Sequence, residues 1–232
     1  MKRIFPVILL SLLIAACSTM PKEIEDKYLV EKTTADSQTI SAMEEKIIVK
    51  NREKQGVEEK IKTQPKLPDG IEQEIKLLKD GNALLKDEIF FYEEHKDAVN
   101  LEAKKTQLGE NETKYARKTA IVQHHDSEKK LFEAELDLKN AELAQYIAEL
   151  NVEKARIAAV YRDKNEVQKP ETEESFFSKI FNHTDPDDKY GYKKYPEYLE
   201  EKKKETLAAE SRYSEAEKKF QEAKSALEKT KE

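Results

Sequence analysis

Apolar residues recur along most of this chain at intervals of three, four and seven, the spacing of one helix face, and runs of alternating strand-type residues are missing. A first helix is predicted over 37–62, with Ile40, Met43, Ile47, Val57 and Ile61 on one stripe that Lys50 and Lys54 interrupt. Gln64-Pro65-Lys66-Leu67-Pro68-Asp69-Gly70 ends it, because proline removes a backbone donor and restricts the residue before it. A second segment, 71–108, places Ile71, Leu78, Leu85, Tyr92, Val99 and Thr106 at intervals of seven. Ile75, Asn82, Ile89, Lys96 and Ala103 form the companion row of the same seam, where a buried Asn82 would set register. Gly109 as the residue past a helix end and Asn111 as the next N-cap predict a reversal at 109–111, with a kinked continuation as the alternative.

The third segment, 112–168, decides the architecture. Leu136, Leu143, Leu150 and Ile157 recur every seven residues, and so do Ala134, Ala141, Ala148 and Ala155. At about 100° per residue the two rows lie on nearly opposite sides, so this helix is expected to touch two neighbours, one of them closely. The last segment, 196–232, repeats Leu199, Thr206, Tyr213, Phe220 and Leu227 at seven, with Ala209, Ala216 and Ala223 between them. The fold class that follows is all-α, an elongated antiparallel bundle of long coiled-coil-like helices, three helices thick where thickest. The third segment alone would run ~85 Å at 1.5 Å per residue.

Periodicity stops over 169–195. That stretch holds Phe176, Phe177, Ile180 and Phe181, then Tyr190, Tyr192 and Tyr195, with Tyr198 just beyond. Aromatics on a long loop are typical anchors of a protein contact, and these eight residues are the candidate partner-binding set. The alternative is that Phe176, Phe177, Ile180 and Phe181 cap the open end of the bundle. The tyrosine run can pack against the Tyr161 end of the third helix in either case.

Composition agrees with long helices: 39% of residues are charged, there are five glycines, and tryptophan is absent. A formal charge of −6 and the lack of a long basic run argue against nucleic acid as partner. His124 and His125 point about 100° apart on a helix, and neither has a histidine or cysteine at helical spacing. Asp185, Asp187 and Asp188 surround Pro186 without the glycine or distal glutamate of a calcium loop. No nucleophile–base set or phosphate loop is present either. The chain is read as non-enzymatic, without metal, small-molecule substrate, or any cofactor beyond a covalent lipid.

That lipid is suggested by MKRIFPVILLSLLIAAC, in which Lys2 and Arg3 precede an apolar run too short to span a bilayer. Ile14, Ala15 and Ala16 then lead into Cys17, the single cysteine. The stretch resembles the lipobox of bacterial lipoprotein precursors, with Ile14 in place of the usual leucine. The resemblance implies removal of residues 1–16, a diacylglycerol thioether on Cys17 and acylation of its new amino group. Loss of Lys2 and Arg3 takes the charge from −6 to −8. Several acyl chains anchor firmly, each buried methylene contributing ~0.8 kcal/mol. Ser18, where a retention aspartate would hold the protein at the inner membrane, implies the outer membrane, facing the periplasm. Residues 17–36 are then expected to be a lipidated tether.

The body resembles coiled-coil envelope lipoproteins in general plan, and more loosely the sheath proteins of spirochaete periplasmic flagella. The expected role is a structural or adaptor element that docks an envelope protein or associates with itself. The alternatives are a surface-exposed binding lipoprotein, a contact activator of an envelope enzyme, and a periplasmic filament component.

Overall fold

The computed structural model describes residues 21–30, 32–166 and 190–230. The signal segment with Ile14, Ala15, Ala16 and Cys17 lies outside the described residues, as do Phe176, Phe177, Ile180 and Phe181. Among the described residues the chain is all-α, a bundle of four long helices without strands. A 3-10 turn, Asp26–Tyr28, precedes α1 (Thr34–Thr63), α2 (Ile71–Glu94), α3 (Ala98–Glu166) and α4 (Lys194–Lys229).

α1 starts three residues before the expected position, at a capping box. The Thr33 N–H donates to Asp36 Oδ2 at 3.0 Å, and the Asp36 N–H donates to Thr33 Oγ1 at 3.1 Å. Two of the donors left free at a helix start are thereby satisfied reciprocally. The predicted break at 64–70 separates α1 from α2, where Gly70 takes φ +80 immediately before Ile71.

The reversal expected at 109–111 is instead at 95–97, and Gly109 and Asn111 lie inside α3. The Asp97 N–H donates to the Tyr92 carbonyl at 3.1 Å and the Lys96 N–H to the Glu93 carbonyl at 3.3 Å, the paired bonds of a Schellman ending. Lys96 fills the left-handed position, φ 56, normally taken by glycine. Asp97 then caps α3, its Oδ1 accepting from the Asn100 N–H at 3.1 Å. A left-handed non-glycine residue costs roughly 1–2 kcal/mol, a charge that the two caps and the hairpin contacts offset. The seam row therefore does not continue through Val99, which is 81% exposed. Leu101, Leu108, Tyr115 and Val122 take it up on α3, all half-buried.

The helices form two compact units. Among the described residues the first draws on those up to 51 and those between 141 and 207. Its core gathers Ile24, Leu29, Ile40, Leu150, Ala155, Ile157, Ala158 and Tyr195. Here α1 runs antiparallel to α3: Asp36 pairs with Arg156, Glu44 with Lys154 at 3.9 Å and Lys50 with Glu142 at 3.1 Å. Lys50, which interrupts the stripe in the sequence, is thus placed between helices with its charge matched. The second unit draws on residues 52–140 and 208–232. Val57, Ile71, Leu85, Ala120 and Ala209 are buried in it. Glu53 pairs with Lys139 at 2.9 Å and Lys60 with Glu135 at 3.0 Å, again antiparallel. α2 folds back on α3 through Glu74–Lys118, Lys86–Glu112 at 3.0 Å, Glu88–Lys104 at 2.7 Å and Glu93–Lys105 at 2.9 Å. Asn82 is buried in that seam. In α4, Thr206 and Ala209 are buried and Leu199, Tyr213, Ala216, Phe220, Ala223 and Leu227 half-buried, the row expected of a helix packed along one side.

Glycine inside a helix is about 0.5–1 kcal/mol worse than alanine, and a Cβ at Gly109 would meet nothing within 4 Å. Gly109→Ala is therefore expected to stabilise the protein by about that amount, read as a rise in melting temperature by circular dichroism. A loss of stability would put the reversal back at Gly109.

Candidate functional site: an aromatic clamp on the N-terminal segment

Residues 21–30, within the stretch 17–36 expected to be a lipidated tether, are packed into the first unit. Pro21, Ile24 and Leu29 are buried, spaced too irregularly to announce a helix. What holds them is a cluster contributed by the C-terminal turns of α3 and the residues that lead into α4. Tyr28 meets Tyr161 edge-on, ring centres 6.2 Å apart at 63°. Arg162 lies between rings, its guanidinium carbon 4.9 Å from the centre of Tyr28, 4.4 Å from Tyr190 and 6.0 Å from Tyr192. It also donates from Nη1 to the Tyr192 hydroxyl at 3.4 Å. Stacking of a planar cation on aromatic faces contributes about 0.5–1 kcal/mol per exposed contact.

The tyrosines continue the cluster. The Tyr190 hydroxyl donates to Asp163 Oδ1 at 2.9 Å. Tyr192 sits 5.8 Å from Tyr190 and 5.9 Å from Tyr195, ring centre to ring centre. Tyr195 is 3% exposed, and its hydroxyl donates to the Lys22 carbonyl. Burial, and secondarily Tyr192, push the Tyr195 hydroxyl above its usual pKa, so it stays a neutral donor. Tyr198 is half-buried under Lys202, whose ammonium lies 5.0 Å from the ring centre.

Of the eight aromatic and apolar residues singled out in the sequence, the structure thus brings Tyr190, Tyr192 and Tyr195 together. Tyr195 is a core residue and not an exposed contact. Sequence reasoning missed Tyr28, Arg162 and Asp163. Only Thr33-x-x-Asp36, a capping signature just after the segment, hinted that order begins there. Asp36 also receives Arg156, and a shallow groove beside them is lined by Thr33, Asp36, Arg156, Ile157, Val160 and Tyr161.

His124 and His125 each make an internal contact. His124 lies 5.2 Å from Phe220 on α4, and His125 Nε2 is 2.9 Å from the Pro65 carbonyl. Glu128, one turn from His124, accepts from Gln64 at 3.1 Å. Among the described residues no three metal-ligating side chains converge, and no helix is long and apolar enough to cross a membrane. The arrangement ties residues 22–29 to the end of α3 and the start of α4. No known protein family, curated protein or solved structure matches the chain.

Two outcomes are expected. Tyr195→Phe removes the hydroxyl from the Lys22 carbonyl and should destabilise the protein by about 1 kcal/mol, with faster proteolysis within 21–30. Unchanged melting and cleavage would mean the bond holds nothing. The Asp36 carboxyl is held below its ordinary pKa by the Thr33 hydroxyl, then the Thr33 N–H, then Arg156. A depressed folded-state pKa gives stability that is full above the unfolded-state value and is lost as pH falls through the folded one. Acid titration of Asp36→Asn should therefore show a shallower loss of stability below about pH 4 than wild type.

Proposed function

We propose that this chain is a bacterial envelope lipoprotein, anchored through a diacylglycerol on Cys17, whose helical body is a non-catalytic structural or adaptor element that docks a protein partner. The observation that carries this reading is the sequence from Lys2 to Cys17: two basic residues, a short apolar run and Ile14-Ala15-Ala16 before the single cysteine. Ser18 favours the outer membrane, facing the periplasm. The packed N-terminal segment supports the same reading and sharpens it. Only four peptide steps separate Cys17 from Pro21, a span of at most ~14 Å. The lipid would therefore hold the clamp of Arg162 and its tyrosines close to the headgroups, with the body oriented by packing instead of swinging on a flexible leader.

Replacing Cys17 with Ala tests the anchor. Wild type is expected to incorporate an alkynyl fatty acid in growing cells and to sediment with membranes. The variant should do neither while keeping its helical spectrum. A variant that still sediments with membranes and still carries label would overturn the lipoprotein reading.

A further inference from the structure

α2 is built with two apolar stripes, and α3 uses one of them. The sequence pairs large apolar residues every seven positions: Leu77-Leu78, Leu84-Leu85 and Phe91-Tyr92. Neighbours on a helix point about 100° apart, so each pair sends one side chain to each of two faces. Leu78, Leu85 and Tyr92 enter the seam with α3. Leu77 and Leu84 stand out from it, 65% and 66% exposed, with Phe91 at 52% and Phe90 at 62%. Scattered exposed leucines are ordinary; a row of them at heptad spacing is the pattern of a helix that expects a second neighbour. Between Leu84 and Phe91 the surface dips into a notch lined by Asp87, Glu88 and Tyr92, and Phe91 is held beside it by stacking on His95, ring centres 4.0 Å apart.

The charges along this row select its occupant. Asp80, Asp87 and Glu94 follow the apolar row three residues on, along one side of it, all exposed. None of the three is in an ion pair among the described residues. On the other side Glu74 and Glu88 are engaged by Lys118 and Lys104 of α3. A second copy of α2 would set acidic row against acidic row in an antiparallel pairing, which like charges oppose. The chain's own 167–189 segment is itself acidic, with six carboxylates against three lysines. We propose that the outer face of α2 docks an amphipathic helix of a protein partner, apolar at heptad spacing and flanked by lysine or arginine. This gives a surface and a chemistry to the docking role proposed above, and rests on that role but not on the lipid.

The test uses the full chain in detergent and two synthetic three-heptad peptides, both with leucine on the seam, one flanked by lysines and the other by glutamates. Wild type is expected to bind the lysine peptide about tenfold or more tightly than the glutamate peptide, by fluorescence anisotropy. Asp80→Lys/Asp87→Lys/Glu94→Lys should invert that preference, and Leu84→Ser/Phe91→Ser should lose both peptides, each variant with an unchanged melting temperature. Equal binding of the two peptides, or variants that bind as wild type does, would overturn the proposal. So would a large fall in melting temperature for Leu84→Ser/Phe91→Ser, which would make the row part of this chain's own core. Self-association of wild type that the serine variant abolishes would assign the row to a second copy instead. Cys17 enters none of these readouts, so failure here leaves the anchor reading to its own experiment.

Discussion

Among the described residues every other long helix packs against α3, and that sharing is the constraint on which the rest depends. A helix can serve several neighbours only if more than one of its faces is apolar, and an ordinary amphipathic stripe cannot do this. α3 solves it with a bulky row and an alanine row. Ala148, Ala155 and Ala158 are at most 4% exposed, and Leu150 and Ile157 are buried beside them in sequence. Small residues let a neighbouring backbone approach, and the large ones fill a wider gap. Charge then selects among the registers that such smooth seams permit. The exposed ion pairs contribute little individually. Lys50 and Glu142, each with 21% of the side chain exposed, are the more discriminating kind, since a shifted register would strand both away from water.

The parts of the fold that were legible in the sequence are those written in repeated residues. The seam of α4 could be read because Leu199, Thr206, Tyr213, Phe220 and Leu227 sample one face five times over. The break before α2 was legible because Pro65, Pro68 and Gly70 act through local backbone chemistry. The second reversal was not, because the Schellman ending has Lys96 where glycine would announce it. Gly109, the residue that did announce a turn, is tolerated inside α3. Local preference worth about 1 kcal/mol was outweighed there by the summed contacts of a hairpin.

The clamp escaped for a different reason. Pro21, Ile24 and Leu29 have no period, so nothing local separates them from a polar leader. Ile24 and Leu29 are buried among Leu150, Ile157 and Tyr195, the last 173 positions from its Lys22 partner, and Tyr28 beside them meets Arg162. Contacts of that sequence separation leave no mark on a pattern read one window at a time. The aromatic character of the run up to Tyr198 was visible. Its assignment as exposed surface was not sound at Tyr195, because a tyrosine serves equally well as a buried ring with one satisfied hydroxyl.

α2 shows the opposite case, in which the pattern says more than the packing uses. Leu77, Leu84 and Phe91 would stabilise nothing in a two-helix hairpin and expose apolar area to water. A chain under no other demand would place lysine or glutamate there, as it does on most of its helix faces. The same residues beside Asp80, Asp87 and Glu94 make sense as half of a seam whose other half is basic. The lipid proposed on Cys17 and the docking proposed for α2 draw on separate stretches of the chain, residues 17–29 with their clamp and residues 71–94, and call on no residue in common. Substitutions on that face of α2 therefore test the docking proposal without touching Tyr28, Arg162, Tyr190, Tyr192 or Tyr195.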